Sequence, residues 1–514
     1  MVVVRGQYFA VVSNWMPVLL SRLFFLAILL VAGLQEAATA ESYGDTIFFK
    51  KCQGYGATPA EQHTVQAIRT ILSAGDCLSA EKKLLAAVEL NLNSRGIETV
   101  SPLAGIVNLE VLTLTDNRVS DLSPLGGMKK LRGLSIAGNK VVDLSPLAGM
   151  VELEWLFAEG NLAQGLDLAP LSGLSRLVHL DVSMNAIKTD GPGAGLGALA
   201  SLVSLERLLL VKCGIEDISA LGPLHSLRSL SIADNRIVDL RAVSGMLHLE
   251  RLITDRNQIV DLSPLASLHA LHYLNVADNF VADLSPLVTL PLLTSLDGSR
   301  NRIEQMGVLP SLPALQWVVL SGNKIADISP LRESHGTISV LDLSANGIVD
   351  ISHLKDMREI EWLDLSDNKI VDISVLSTVQ FLRRLDISSN LISSLDALSV
   401  HKNLMVFDTS HNQITSLDVL SGKSLLHTLA AAGNKLDSIK GLSQLRALKA
   451  LDIRDNQITD LSSLGQLPNS TLRTLLASGN PVVRSKEQCP VTGGPFRLRI
   501  FCREYLGGAS GNGN

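Results

Sequence analysis

A period of 22 residues constrains this chain more than any other feature. One clean copy runs from Ile360 to Phe381, IEWLDLSDNKIVDISVLSTVQF. Its apolar positions are Ile360, Leu363, Leu365, Ile370, Ile373, Leu376 and Val379, with Asn368 in their midst. Leu363 and Leu365 alternate with polar neighbours, the pattern of a half-buried strand. Past Asn368 the apolar spacing widens to threes, which suits a turn and a short helical or extended return. A unit this small cannot bury its own apolar face, so it buries it against the next copy. The chain therefore reads as one stack of coils with caps, although 514 residues would otherwise suggest several domains.

A column of asparagines sets the register. It runs through Asn117, Asn139, Asn161 and Asn185, is broken by Cys213, and resumes from Asn235 to Asn456 and Asn480. Arg95 holds the equivalent place in an opening unit, which makes about 18 units, most of them 22 residues apart. An asparagine where a strand turns inward satisfies neighbouring backbone groups and can stack into a ladder from coil to coil. The steps around Asn185 stretch to 24 and 28 residues. The added residues include Thr189-Asp190-Gly191-Pro192-Gly193-Ala194-Gly195, a turn-rich insertion expected on the return side.

The period and the return strokes Asp121–Leu125, Asp143–Leu147, Asp261–Leu265, Asp283–Leu287 and Asp327–Leu331, all Asp-[Leu/Ile]-Ser-Pro-Leu, resemble the short leucine-rich repeats of the SDS22-like class, shared with bacterial internalins. The resemblance covers roughly residues 88–484. It implies an α/β solenoid, a curved leucine-rich-repeat horseshoe with a parallel β-sheet on its concave face. Eighteen strands about 4.8 Å apart make a sheet on the order of 80 Å long, suited to gripping another macromolecule.

The N-terminus has the form of a secretory signal over residues 1–40. Arg22 precedes the apolar run Leu23–Leu34, and Ala38-Thr39-Ala40 supplies a small-x-small cleavage pattern before Glu41. Twelve apolar residues are few for a bilayer span, so cleavage is expected and no membrane span after it. Without that leader, 42 basic residues stand against 49 acidic ones. This mild acidity, with no Lys/Arg cluster, excludes nucleic acid as a natural partner.

Five cysteines agree with export. Cys52 and Cys77 precede the repeats and Cys489 and Cys502 follow them. Position suggests the pairs Cys52–Cys77 and Cys489–Cys502, although four cysteines allow three connectivities. Disulfide-capped ends would close a solenoid whose ends otherwise expose a leucine-lined core. Cys213 stands in the asparagine ladder and reads as a buried free thiol. The cap before the repeats spans 41–88. Thr58-Pro59-Ala60-Glu61 starts a helix there, with Val65, Ile68, Ile71 and Leu72 on one face, and a second short helix is expected over 79–87. The repeats span 89–484, the C-terminal cap 485–506, and a flexible polar tail 507–514.

Candidate contact residues alternate with the buried leucines of each strand. The column six residues before each asparagine contains Trp155, Trp317 and Trp362, every tryptophan outside the leader. His179, Arg207, Arg251, Tyr273 and Arg384 share it, and Phe157 stands beside Trp155. Tryptophan, tyrosine and arginine dominate binding energy at interfaces. The column four before each asparagine contains Asp181, Asp297, Asp342, Asp364, Asp386, Asp408 and Asp452. Carboxylates on consecutive strands should titrate together with raised pKa values. Three uses compete for them: a site for a basic partner patch, a cation site, or bonding to the serines that follow at Ser344, Ser366, Ser388 and Ser410.

No nucleophile elbow, zinc-protease helix or Walker loop occurs, so no catalytic residue, metal or cofactor is assigned. The resemblance implies an exported, non-catalytic binding protein, monomeric, at the cell surface, in the periplasm or secreted, with a protein or a surface glycan as its partner. Its alternatives are a phosphatase regulatory subunit similar to SDS22 and an extracellular scaffold or inhibitor. Asn469-Ser470-Thr471 is a lone N-glycosylation match.

Overall fold

In the computed structural model the 22-residue period becomes one coil per copy. The structure describes residues 43–162, 164–188, 195–334, 336–468, 472–482, 489 and 495–507, and its side chains to 502. The leader, most of the insertion after Lys188, the glycosylation match and the tail lie outside the described residues. The compact unit runs from Ile47 onward.

Each coil contributes a three-residue strand to an 18-stranded parallel sheet. Like positions pair from coil to coil: Trp362 faces Val340 on one side and Arg384 on the other. The apolar positions of the clean copy, from Ile360 to Val379, are all buried in one continuous core. The return stroke is a 3-10 helix of three to seven residues, such as Ser123–Leu125 or Ser374–Thr378. In the Asp-Leu-Ser-Pro-Leu strokes the aspartate starts that helix. Asp121 Oδ1 accepts the Ser123 N–H at 2.8 Å and its Oδ2 accepts the Ser123 hydroxyl at 2.9 Å.

The asparagine ladder ties each coil to its predecessor. Asn368 Nδ2 donates to Leu365 O in its own coil and to Leu343 O in the coil before. Its Oδ1 accepts the Ile348 N–H at 3.0 Å. The residue before each ladder position has a left-handed backbone, whether Gly322 or Arg256, Asp278 and Lys212. That conformation aims the amide inward and is strained for every residue but glycine.

At Cys213 the ladder is bridged differently. Its thiol points at Val182 O and Val211 O, both at 3.5 Å, and its own carbonyl accepts the Ile187 N–H at 3.1 Å. Burial pushes the thiol up to about 12, so Cys213 is a packing residue and not a reactive one. Beside this break Gln164–Leu166 pairs with Ala186–Ile187 in a separate two-stranded parallel sheet.

The N-terminal cap holds three helices: α1 (Ile47–Cys52), α2 (Pro59–Ile71) and α3 (Cys77–Leu85). Thr58 caps α2 in a full capping box with Glu61. The second expected helix starts earlier, at Cys77, because Asp76 accepts the Ser79 N–H at 2.8 Å and becomes its cap. Glu61 also fastens the cap to the first coil. Its carboxylate accepts the Ser101 hydroxyl at 2.6 Å and lies 3.0 Å from Lys51 Nζ. The Ser101 bond, helped by Thr58 and Lys51, holds Glu61 down at about 2. Disulfides join Cys52 to Cys77 and Cys489 to Cys502, one at each end of the repeats. The helix α4 (Phe496–Gly507) supplies Cys502 to the second, and its Leu498 and Cys502 lie in the core.

Candidate binding face

The exposed face of the sheet carries the two sequence columns side by side. Strand pairing aligns Trp317, Val340, Trp362, Arg384 and Val406 in one row and Asp342, Asp364, Asp386 and Asp408 in the next. Trp317 and Trp362 lie two strands apart with only Val340 between them. Their rings meet edge to face, centroids 5.5 Å apart, a favourable geometry for two aromatic quadrupoles. Arg384 lies over the Trp362 ring at 5.0 Å. These three residues form one half-buried platform.

The acidic row beside it is half-buried too. Asp342 accepts the Ser344 N–H at 2.9 Å, and Asp364 and Asp386 each accept both the N–H and the hydroxyl of Ser366 and Ser388. Asp408 accepts the Ser410 N–H at 2.8 Å. Each carboxylate therefore does bond the serine two residues on. The serines do not neutralise it. Burial first, and the neighbouring carboxylates second, push Asp342 up to about 6 and Asp386 up to about 8. Asp408 is raised by burial with Asp452 and Asp364. Asp297, nearer the middle of the sheet, is raised by burial as well.

Two other groups occupy the face. Near the middle, Arg251 stacks over Tyr273 at 3.6 Å. Nearer the N-terminus, Trp155 stacks on Phe157, centroids 5.1 Å apart, with His179, Asp181 and Arg207 on the next two strands. The sequence columns thus put Trp155, Phe157, His179 and Arg207 in one group, Arg251 and Tyr273 in a second, and the remaining candidates in a third.

Several contributors escape a reading by residue type. Gly133 is the floor under Trp155: a Cβ there would stand 2.1 Å from the indole. Its signal was a glycine directly before a tryptophan in the same column. Glu159 stands where most other coils have serine or alanine. Its Oε2 is buried without a partner, and burial with Asp181 and Asp116 raises it to about 7. Val340 matters by being small enough to let two tryptophans meet. Among the described residues, no group of histidines, cysteines and carboxylates is arranged to hold a metal, and no helix is long and apolar enough to cross a membrane.

Repeat, ladder and sheet define a leucine-rich-repeat solenoid. Residues 107–149 match the model for leucine rich repeats in two copies, and residues 444–461 match a single-repeat model. Among solved structures, a leucine-rich-repeat protein of Leptospira interrogans is similar at 20% identity and TM-score 0.59, over 83% of this chain and 96% of that one. The functional domain of InlJ from Listeria monocytogenes, which includes a cysteine ladder, is similar at 20% identity and TM-score 0.50, over 80% and 78%. The plant peptide hormone receptor RGFR1, in complex with RGF2, is similar at 18% identity and TM-score 0.55, over 74% and 72%. No curated protein matches in sequence.

Proposed function

We propose that this chain is an exported, non-catalytic recognition protein that takes a protein partner on the exposed face of its sheet. The observation that carries the proposal is the Trp317–Trp362 pair beside the acidic row. Half-buried tryptophans with an arginine over one ring are the composition of an interface centre. The core needs none of these residues, because leucines and isoleucines fill it. That a plant receptor of this fold is in complex with a peptide hormone supports the use of such a solenoid for protein ligands. Export is supported by the leader-like N-terminus and by a disulfide near each end.

Crosslinking at the surface of the source cells, followed by mass spectrometry, tests the reading. Trp362→Ala/Asp364→Ala protein should recover much less of the partner with a melting temperature close to the parent's. Equal recovery would refute a sheet-face site. Export is tested separately: the native unreduced protein should begin at Glu41 and have the mass of two disulfides.

A further inference from the structure

The acidic row changes character at its C-terminal end. Asp452 stands in the same column as Asp408, one strand further on past Ala430. There the residue two places on is Arg454 instead of a serine. Arg454 Nε lies 2.9 Å from Asp452 Oδ1 and its Nη2 2.6 Å from Oδ2, a bidentate pair. The molecule thus shows, with its own side chain, what neutralises a carboxylate of this column: a guanidinium laid flat against it. Asp342, Asp386 and Asp408 meet serine at that place, which donates hydrogen bonds but brings no positive charge.

We propose that this half of the sheet face takes an extended, arginine-bearing segment of another protein, with guanidinium groups against Asp342, Asp386 and Asp408 as Arg454 lies against Asp452, flanked by Trp317 and Trp362. The inference rests on the proposed function and names the partner's chemistry. Charge complementarity selects the occupant, since like charges stacked on neighbouring strands gain most from an opposite charge that spans them. Spacing agrees. Alternate residues of an extended chain are about 7 Å apart, so arginines at i, i+2 and i+4 span about 14 Å. Three steps across a sheet, from Asp342 to Asp408, also span about 14 Å, so the outer arginines match Asp342 and Asp408 and the middle one falls between Asp364 and Asp386, within reach of Asp386. Arginine fits better than lysine because its planar fork meets both carboxylate oxygens.

The groups facing the row are few. Asp364 lies within it, Asp297 flanks Asp342 beyond Val319, Asp452 with its Arg454 partner flanks Asp408 beyond Ala430, Arg384 lies over the Trp362 ring, and the strand after Asp408 contributes the uncharged Thr428 and Ala430, with His427 at its edge. A row that holds protons near neutrality must release them to take up guanidinium. Capture therefore tightens as pH rises through the range in which Asp342 and Asp386 titrate.

Isothermal titration of the full-length protein with three blocked nonapeptides is the test. Arginine, lysine or citrulline occupies positions 3, 5 and 7 among threonines. At about 150 mM salt and pH 8.5 the arginine peptide should bind best, and citrulline should weaken it about tenfold or more. Asp386→Asn/Asp408→Asn protein should lose a similar factor, as should the wild type at pH 6, one proton released being worth up to about tenfold per pH unit. Asn accepts the same serine bonds, so a melting temperature no lower than the wild type's certifies the fold. No binding of the arginine peptide, or equal binding of citrulline, overturns the proposal. So does a surface-crosslinked partner that Trp317→Ala/Trp362→Ala loses but Asp386→Asn/Asp408→Asn retains, a result that would leave sheet-face recognition standing.

Discussion

The coils before Cys213 and the coils after Val319 are built on one period yet present different surfaces. After Val319 the period is nearly strict, so like stacks on like: aspartate on aspartate, serine on serine, asparagine on asparagine. The cost is electrostatic, and it is stored on the face. Before Cys213 the period stretches and the ladder is broken. Trp155 lies over Gly133, and Phe157, Leu162 and Met184 are 36%, 73% and 45% exposed. Leu162 and Met184 also have left-handed backbones, costly for a large side chain. The cost there is left-handed strain at two large apolar residues, with Phe157 exposed on the sheet face. A strict repeat concentrates one chemistry along a row; an interrupted one assembles unlike residues into a local patch.

The largest test of this contrast is at the ladder. Asn368→Ala leaves the Ile348 N–H of the preceding coil unsatisfied, takes one of two amide donors from Leu343 O and from Leu365 O, and should cost about 2–4 kcal/mol in urea unfolding. Cys213→Ala should cost about 1 kcal/mol, because Cys213 O already serves Ile187. Equal losses would mean that the break at Cys213 is no break. Next, Gly133→Ala should displace Trp155 from its seat and cost about 1–2 kcal/mol, with a red-shifted Trp155 emission when Trp317 and Trp362 are replaced by phenylalanine. An unmoved spectrum would show that the N-terminal patch does not depend on its glycine floor. The smallest effect is expected at the left-handed positions. Lys212→Gly and Met184→Gly should each stabilise by up to about 1 kcal/mol, and Gly322→Ala should destabilise by a similar amount. Chemical denaturation of the three variants checks the signs.

Much of this was legible from the period. Once Asn117 to Asn480 were aligned, every strand of the long sheet, both columns and the stacking of Asp342 to Asp408 followed, because parallel pairing of identical units leaves no choice of register; the separate pair Gln164–Leu166 and Ala186–Ile187 did not. Sequence columns could not show which members touch. Trp317 and Trp362 meet only because Val340 is short, and Trp155 lies flat only because Gly133 has no side chain. Helix α1 went unseen because six residues carry no period of their own, and Phe48 alone buries it. The left-handed position before each asparagine was written in Asp116-Asn117 and Gly322-Asn323. Lys212 and Met184 hide it, since neither residue type favours that conformation.

The acidic row decides whether the regular half is a working surface or a structural seam. Asp342 and Asp386 have folded pKa values above the unfolded range, raised by burial and by each other's neighbours. Such a group contributes stability that is full below the unfolded pKa, near 4, and is lost as pH rises through about 6 and about 8. His401 and Lys423, buried in adjacent coils and lowered by burial, act in the opposite sense. A difference between two proteins cancels them. The measurement is the unfolding free energy of the wild type and of Asp342→Asn/Asp386→Asn/Asp408→Asn from pH 5 to pH 8.5. The account predicts that the variant is more stable than the wild type at pH 8.5, by about 1–3 kcal/mol, with the gap closing towards pH 5. A variant less stable than the wild type at pH 8.5 would show that the charges hold the coils together, and would contradict a face kept under repulsion for a partner to relieve.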